Sequence, residues 1–261
     1  MTDKIITEQS GDIARIIFNQ PERRNAVSLE MWEAVEKAAS AYAADPSVRI
    51  LILSGAGGKA FVSGADVSKF ESERASKEAV DHYNATTKRV YDLIEAFPKP
   101  TIAQIDGFCI GGGVALALCC DLRICGRGSQ FAIPAAKLGL GYGYSGLKRL
   151  VDVVGPSFAK EIFFTAGRFD AEEARSMGLV NRVVADAAVA EAAEETAARI
   201  ASNAPMTVES VKFIVGEIVK DESKTDLAAC DAKVQACFAS KDYVEGRRAF
   251  LEKRKPNFVG A

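Results

Sequence analysis

Short apolar runs and longer segments of helical period alternate along the first half of the chain. Residues 13–18 and 50–53 are apolar runs with the length of buried strands. Residues 28–45 place apolar side chains at helical spacing and begin with Ser28, a common N-cap residue. A second helix is predicted at residues 77–96, just before two closely spaced prolines. The first half is therefore predicted to alternate strands with helices.

The second half of the chain is predicted to be mainly helical. Asp170 and Glu173 have the spacing of a capping box, and Gly178 is a typical residue at a helix end. A last strand is predicted just after this glycine. Three further helices are predicted at residues 187–202, 205–220 and 225–253. The sequence therefore predicts an α/β fold with a C-terminal helical region.

Three consecutive glycines, Gly111–Gly113, join a strand-like apolar run to a helix-like apolar run. Glycines at such a junction let main-chain N–H groups approach a ligand with no side chain between them. The helix N-terminus adds partial positive charge at the same place. A second loop contains Gly64-Ala65-Asp66, and one N–H group from each loop can converge on a single carbonyl oxygen. This combination is typical of a site that stabilises a developing oxyanion.

The composition narrows the class of partner. The chain has 261 residues and a formal net charge of −2, so no basic field favours nucleic acid or anionic lipid. No apolar stretch approaches the ~20 residues that cross a bilayer, and the N-terminus lacks a signal pattern, so we expect a cytoplasmic protein. The six cysteines form no C-x-x-C pair and His82 is the only histidine, so we expect buried reduced thiols and no metal site.

Familiar phosphate-binding and hydrolase motifs are incomplete. Residues 141–146 match G-x-G-x-x-G, but a poor strand precedes them and no acidic residue follows at the required place. Gly58-Lys59 precedes alanine rather than the Ser or Thr of a P-loop, and no G-x-S-x-G elbow accompanies His82. These patterns therefore do not predict a dinucleotide site, a P-loop or a serine hydrolase.

Four segments together resemble one family, the crotonase or enoyl-CoA hydratase/isomerase superfamily, and the likeness covers essentially the whole chain. They are residues 59–66; residues 99–107 with Gly111–Gly113 and residues 120–121; residues 165–168 with residues 171–184; and residues 250–255. The resemblance implies a spiral of ββα units at residues 1–200 and a C-terminal helical trimerisation region at residues 201–261. It also implies a homotrimer or a dimer of trimers that acts on acyl-coenzyme A (acyl-CoA) thioesters, with no separate cofactor.

The resemblance also assigns site residues. The oxyanion amides should belong to Ala65 and Gly112, which would hold the thioester oxygen as it gains enolate character. The size of the acyl pocket should depend on Val114, on two alanines described below and on the polar segment at residues 68–77. Contacts to coenzyme A are expected from Arg24, Asn25, Ala26, Asp66, Val67 and Lys69, and from Phe250 and Lys253 of a neighbouring subunit.

This chain departs from the family pattern at both catalytic carboxylates. Hydratases of the superfamily carry two glutamates, and the matching positions here are Ala115 and Ala135. A methyl group cannot transfer a proton, and the loss of one positioned acid or base typically costs about 10²–10⁴-fold in rate. Efficient hydration by the usual mechanism is therefore not expected.

Two tyrosines, Tyr142 and Tyr144, lie in the segment that runs along the acyl pocket in this family. Tyr142 matches a tyrosine of the methylmalonyl-CoA decarboxylase branch, so we predict a catalytic role for it and a substrate contact for Tyr144. The tail at residues 250–259 also resembles that branch. We expect a lyase, either a divergent enoyl-CoA hydratase or a decarboxylase. A C–C hydrolase and a catalytically inactive acyl-CoA-binding protein are the alternatives.

The helix predicted before the proline pair carries four further polar candidates, His82, Tyr83, Lys88 and Tyr91. Lys88 and Tyr91 can share one face at i, i+3 spacing. We expect surface exposure or packing, rather than catalysis, for each of the four.

Overall fold

The computed structural model describes residues 2–69 and 75–261, without the side chain of Val67. Residues 70–74 of the predicted polar segment therefore lie outside the described residues, as does the predicted contact through the Val67 side chain. Six strands form the larger sheet, in the spatial order β1-β2-β3-β5-β7-β10. They are β1 (Ile5–Ser10), β2 (Ile13–Phe18), β3 (Ile50–Gly55), β5 (Thr101–Ile105), β7 (Leu122–Gly126) and β10 (Arg182–Val184).

Four short strands form a second sheet, in the order β4-β6-β8-β9. They are β4 (Ala60–Val62), β6 (Phe108–Ile110), β8 (Gln130–Ala132) and β9 (Phe169–Asp170). Among the described strands, the antiparallel pairs are β1 with β2 and β8 with β9, each at one edge of its sheet. All other pairs are parallel. Parallel pairing requires crossover connections, which the helices provide.

The described residues include nine α-helices. They are α1 (Leu29–Ala44), α2 (Lys77–Glu95), α3 (Gly112–Cys119), α4 (Tyr144–Thr165), α5 (Ala171–Ser176), α6 (Val189–Ala201), α7 (Pro205–Ile218), α8 (Leu227–Ala239) and α9 (Lys241–Leu251). No helix in the described ranges combines the length and apolar character needed to cross a membrane.

A repeated ββα unit organises the core. In three successive units the first strand joins the larger sheet, the second joins the smaller sheet and a helix follows: β3-β4-α2, β5-β6-α3 and β7-β8-α4. The predicted α/β spiral of ββα units is therefore confirmed. Strands β4 and β6 are parallel neighbours in the smaller sheet. The loops that follow these two strands therefore lie at the same end of that sheet.

Helix α3 lies inside the molecule, which explains its uniformly apolar sequence. Val114 and Leu116 are buried against the main core. At its C-terminal end the buried Arg123 guanidinium donates hydrogen bonds to the carbonyls of Cys120 and Leu179, at 2.6 and 2.7 Å. A cation at a helix C-terminus complements the helix dipole and satisfies free carbonyl groups. The C-terminal end of α3 is thus held in a fixed position.

Two sequence predictions are corrected by the structure. The helix predicted at residues 225–253 is two helices, because Ser240 has an extended backbone and its hydroxyl accepts a hydrogen bond from the Tyr243 N–H. This N-cap starts α9 in a new direction. Tyr144 does not lie in the preceding loop but is the first residue of α4, where its side chain is exposed. The capping box of Asp170 and Glu173 is confirmed.

Candidate active site

The two glycine loops depend on backbone conformations that favour glycine. Gly64 has φ of +106° and Gly111 has φ of +55°, and other residues rarely adopt these values. Gly113 serves a different purpose, because a β-carbon there would collide with the carbonyl oxygen of Val62 in β4. The triple glycine therefore turns the chain after β6 and lets α3 pack directly against the smaller sheet.

The loops after β4 and β6 touch each other. The amide nitrogen of Gly112 lies 3.9 Å from the point where a β-carbon on Gly64 would stand. In return, a β-carbon on Gly112 would lie 3.8 Å from the Cα atom of Gly64. The fold thus brings together Ala65 and Gly112, the residues predicted to supply the two amides, although they are 47 residues apart in sequence.

The direction of the Ala65 N–H group follows from a short parallel bridge with Val27. Val27 donates to the Gly64 carbonyl at 2.8 Å, and Asp66 donates to the Val27 carbonyl at 3.0 Å. The Gly64 carbonyl and the Ala65 N–H belong to one trans peptide group, in which the C=O and N–H bonds point in opposite directions. The Ala65 N–H therefore points away from Val27.

Both amides are available to a ligand. Within residues 2–69 and 75–261, neither the Ala65 N–H nor the Gly112 N–H donates a hydrogen bond to a protein acceptor. Gly112 is the first residue of α3, so its N–H belongs to the group that no helical carbonyl can reach. The arrangement can offer two main-chain donors, from two touching loops, beside a helix N-terminus.

The early loop that was predicted to contact coenzyme A is held in an unusual conformation. Arg24 and Asn25 have φ of +53° and +55°. The buried Asn25 side chain accepts from the Gln20 N–H and donates to the carbonyls of Ala56 and Ala60. These bonds support the left-handed turn and engage the Asn25 side chain. Any side-chain contact from this loop to coenzyme A must therefore come from exposed groups such as the Arg24 guanidinium. That group lies over the Phe108 ring, at 4.8 Å from its centroid.

Asp66 is buried, and its carboxylate bonds both the early loop and its own loop. Its carboxylate accepts hydrogen bonds from Gln20, Arg23 and Ser68. Burial acts to raise the pKa of Asp66, but the hydrogen bonds from Ser68 and Gln20 outweigh it and hold the pKa below its usual value. Asp66 is therefore an ionised support of the Ala65 loop. Two other predicted contacts, Ala26 and Lys69, are partly exposed and exposed respectively.

A cluster of aromatic side chains lies behind the glycine loops. Tyr91 is buried at its hydroxyl end, where the hydroxyl donates to the Gly112 carbonyl at 3.2 Å. Tyr142 packs edge-on against Phe163, with ring centroids 4.7 Å apart. Burial raises the pKa of both tyrosines, and the neighbouring Cys119 raises it further in each case. Both phenols are therefore neutral at ordinary pH.

The two alanines that replace the usual glutamates both lie between Tyr91 and Tyr142 in sequence. Ala115 is partly buried in the first turn of α3, and Ala135 is only 4% exposed in a short turn after β8. The nearby carboxylates of Asp92 and Glu95 are both paired with Arg149, at 2.6 and 2.7 Å. These acids are committed to an ion-pair network rather than free to replace the missing glutamates.

Phe250 and Lys253 lie elsewhere on the chain. Phe250 is 83% exposed and lines an apolar groove of about 820 Å³ between α7, α8 and α9. Lys253 is also exposed and follows the end of α9. Within one chain these two residues border a different surface from the glycine loops, so their predicted contact with coenzyme A depends on a second subunit.

The four buried cysteines provide no reactive group for this site. Cys109, Cys119, Cys120 and Cys125 are buried, as predicted, whereas Cys230 and Cys237 are only partly buried, which corrects the prediction for these two. Burial raises the pKa of each of the four buried thiols, to about 12 for Cys120 and Cys125. Neutral buried thiols behave as small apolar side chains. In the described part of the chain, no group of three His, Cys, Asp or Glu side chains is arranged to hold a metal ion.

Tyr91 packs against the core, as predicted, but the sequence did not reveal the partner of its hydroxyl. That hydroxyl reaches the main chain of the triple glycine. The helical period of α2 contains the signal, because the buried residues Tyr83, Val90 and Ile94 define one face and Tyr91 adjoins it. What the period cannot reveal is which element that face meets.

Comparisons with known proteins agree with this architecture. The sequence profile of the enoyl-CoA hydratase/isomerase family matches residues 8–261. A protein of Syntrophomonas wolfei named crotonyl-CoA hydratase is 37% identical over 257 residues, covering 98% of each chain. A short-chain-enoyl-CoA hydratase of Clostridium acetobutylicum is 33% identical over 97% of this chain and 96% of its own.

Solved structures give the same result. An enoyl-CoA hydratase/carnithine racemase from Magnetospirillum magneticum has a TM-score of 0.92 and 37% identity, over 100% of this chain and 97% of its own. An enoyl-CoA hydratase from Bacillus anthracis has a TM-score of 0.93 and 32% identity, over 99% and 100%. The chain therefore belongs to the enoyl-CoA hydratase/isomerase family of the crotonase superfamily, and its fold is the crotonase fold.

Proposed function

We propose that this chain is an acyl-CoA enzyme in which the amides of Ala65 and Gly112 bind the thioester carbonyl oxygen. The observation that carries the proposal is that both N–H groups lack a described protein acceptor and lie on two loops in contact. Negative charge builds on this oxygen when the thioester becomes an enolate, and the two donors stabilise it. One such donor is typically worth about 3–4 kcal/mol of the activation barrier.

The rest of the ligand extends along the early loop. We propose contacts to coenzyme A from Arg24, from the main chain around Asn25 and Ala26, and from Asp66, Val67 and Lys69. Phe250 and Lys253 would complete the site from a neighbouring subunit of a cytoplasmic homotrimer or dimer of trimers. The exposed apolar groove beside Phe250 supports an interface there, because large exposed apolar surfaces usually mark association. Ala115, Ala135 and Tyr144 would border the acyl group.

Of the lyase reactions, decarboxylation fits the side chains best. Hydration needs a base that activates water, and the positions of the usual glutamates hold Ala115 and Ala135. Decarboxylation of a malonyl-type thioester needs no base. The bond between the α-carbon and the carboxylate carbon breaks, carbon dioxide leaves, and the electron pair moves onto the thioester oxygen held by the amides.

The enolate must then receive a proton at its α-carbon. Tyr142 is a partly buried phenol whose pKa is raised by burial, so it holds its proton until a strong base appears. An enolate is such a base. Tyr142 would donate the proton, and water would return one to the tyrosinate, which leaves the enzyme unchanged at the end of the cycle.

Hydration of a short enoyl-CoA is the second candidate. It is favoured by the names of two relatives that are 37% and 33% identical, crotonyl-CoA hydratase and short-chain-enoyl-CoA hydratase. Under this alternative, water would have to be activated without the usual carboxylates, and the tyrosines would provide the proton.

Mass spectrometry of an acyl-CoA panel distinguishes these reactions. The panel contains malonyl-CoA, methylmalonyl-CoA, crotonyl-CoA and a β-ketoacyl-CoA. The proposal predicts loss of carbon dioxide from one of the first two, whereas a gain of water by crotonyl-CoA would support hydration. Cleavage of the β-ketoacyl-CoA would indicate a C–C hydrolase. Thermal stabilisation by these thioesters without any change of mass would identify an inactive binding protein and contradict the enzyme assignment.

A further inference from the structure

Tyr91 links helix α2 to the first turn of α3 through a single hydrogen bond. Its hydroxyl donates to the Gly112 carbonyl at 3.2 Å, and it lies 3.3 Å from the point where a β-carbon on Gly112 would stand. Gly112 is also the residue whose N–H is available to a ligand. Tyr91 therefore holds the peptide group that directly follows the proposed amide donor.

The Tyr91 ring is fixed from two sides. The ring of Trp32 packs edge-on against it, with centroids 5.4 Å apart and planes at 79°. The guanidinium of Arg149 lies over it at 6.0 Å, and that group is itself held by Asp92 and Glu95. A ring confined in this way cannot change rotamer without disturbing α1, α2 and α4. The hydroxyl thus has a fixed position relative to α3.

The same aromatic contacts continue to the other glycine loop. Trp32 packs edge-on against Phe18 at 6.3 Å, and Phe18 packs edge-on against Phe61 at 6.2 Å. Phe61 lies in β4, four residues before Ala65. A continuous line of four buried or partly buried aromatic rings therefore runs from the strand that precedes the Ala65 loop to the hydroxyl that bonds the Gly112 carbonyl.

We propose that Tyr91 is a positioning residue of the oxyanion site, which fixes the Gly112 peptide and, through the aromatic line, its distance from the Ala65 loop. This inference rests on the proposed function. It differs from the role given to Tyr142, because the Tyr91 proton is engaged by the Gly112 carbonyl. Preorganised donors act most strongly when they need not move as charge develops.

The test compares Tyr91→Phe with Tyr42→Phe. The Tyr42 hydroxyl also donates to a main-chain carbonyl, that of Glu8, at 3.1 Å, but at the edge of the larger sheet. Both variants lose one tyrosine–carbonyl hydrogen bond, so they are matched in chemistry. The readout is the infrared stretch of the thioester carbonyl of bound butyryl-CoA, labelled with a heavy carbon isotope, together with its Kd.

The wild-type chain should lower the carbonyl stretch of bound butyryl-CoA relative to the free thioester. Tyr91→Phe should lose at least half of this shift while Kd changes less than about threefold, because polarisation depends on donor geometry more than total affinity does. Tyr42→Phe should keep the full shift. A full shift in Tyr91→Phe, or an equal loss in both variants, would overturn the positioning role alone.

Two further measurements separate the role of Tyr91 from the oxyanion site itself. A wild-type chain that binds butyryl-CoA with no shift would overturn the oxyanion site itself, and the role of Tyr91 with it. Should Tyr91→Phe fail to fold, a fluorinated tyrosine at position 91 replaces it, since this residue keeps the ring and donates a stronger hydrogen bond. It should keep or enlarge the shift, and a smaller shift would contradict the proposal.

Discussion

The amide nitrogen of Gly112 lies 3.9 Å from the point that a β-carbon on Gly64 would occupy. This close approach brings the loop after β4 into contact with the start of α3, although the two segments follow different strands, β4 and β6. The glycines are required for different reasons. At Gly64 the backbone has a positive φ, whereas at Gly113 a side chain would collide with Val62.

Replacement of the second and third glycines should therefore have different effects. Gly112→Ala should fold, because its β-carbon would make only one tight contact, 3.3 Å from the Tyr91 hydroxyl, and no collision with main chain, but it should weaken binding of butyryl-CoA by crowding the gap between the loops. Gly113→Ala should lower thermal stability, because the β-carbon meets the fixed main chain of β4. Thermal denaturation and calorimetric titration check both. Wild-type binding by Gly112→Ala would argue against a ligand between the loops.

Restoring the carboxylates should create hydratase activity. We expect the double variant of Ala115→Glu and Ala135→Glu to hydrate crotonyl-CoA about 10²-fold or more faster than the wild type, because positioned acids and bases contribute factors of this size. Ala135→Glu should also lower stability, since that site is 4% exposed and a buried carboxylate is costly. Loss of the conjugated-thioester absorbance measures the rate.

The control for this gain is the double variant with glutamine at both positions, which matches glutamate in size and cannot transfer protons. It should stay at the wild-type rate. Equal rates for the glutamate and glutamine variants would show that residues 115 and 135 do not face the acyl group as proposed.

Tyr142→Phe should abolish the proton transfer of the proposed decarboxylation. The Phe163 contact can be kept by the new ring, so folding and affinity should change little. Turnover of malonyl- or methylmalonyl-CoA should fall by about 10²–10⁴-fold, the usual effect of losing a general acid. Tyr42→Phe serves again as the control. Undiminished carbon dioxide release by Tyr142→Phe would exclude this phenol as the donor.

The C-terminal tail should be released by acid. Hydrogen bonds from Arg254, the Asn257 N–H and Arg248 hold the pKa of Glu245 well below its usual value. A lowered folded-state pKa contributes stability above the unfolded value of about 4.3, and the contribution is lost as pH falls through the folded value. Glu245→Gln should therefore be less thermally stable than the wild type near neutral pH. The gap should narrow below about pH 4, and a gap that widens there would contradict this assignment.

The main features of the fold could be predicted from the sequence where local chemistry decides the structure. The capping box at Asp170, the helix at residues 77–96 and the turn at Gly111–Gly113 depend on neighbours in sequence, and the structure confirms each. The two glycine loops could be paired because each pattern demands close approach of main chain. The split at Ser240 was missed because a single serine does not end a helix unless its surroundings favour a cap.

The details of the site depend on contacts between distant segments, which the sequence does not encode locally. From the sequence, Asn25 is a polar residue of a loop. Its side chain is nevertheless buried, because it donates to the carbonyls of Ala56, just after β3, and Ala60, at the start of β4. Tyr91 similarly acquires its partner only when α2 packs across α3. In both cases the residue type was evident and its partner was not.

The central claim is that the amides of Ala65 and Gly112 bind one thioester oxygen. Nuclear magnetic resonance of a chain carrying heavy nitrogen at alanine and glycine, titrated with butyryl-CoA and separately with free coenzyme A, tests it most directly. We predict that the Ala65 and Gly112 amide protons move downfield with butyryl-CoA alone, since free coenzyme A lacks the carbonyl. Unmoved resonances at saturation, or equal shifts with both ligands, would contradict the account.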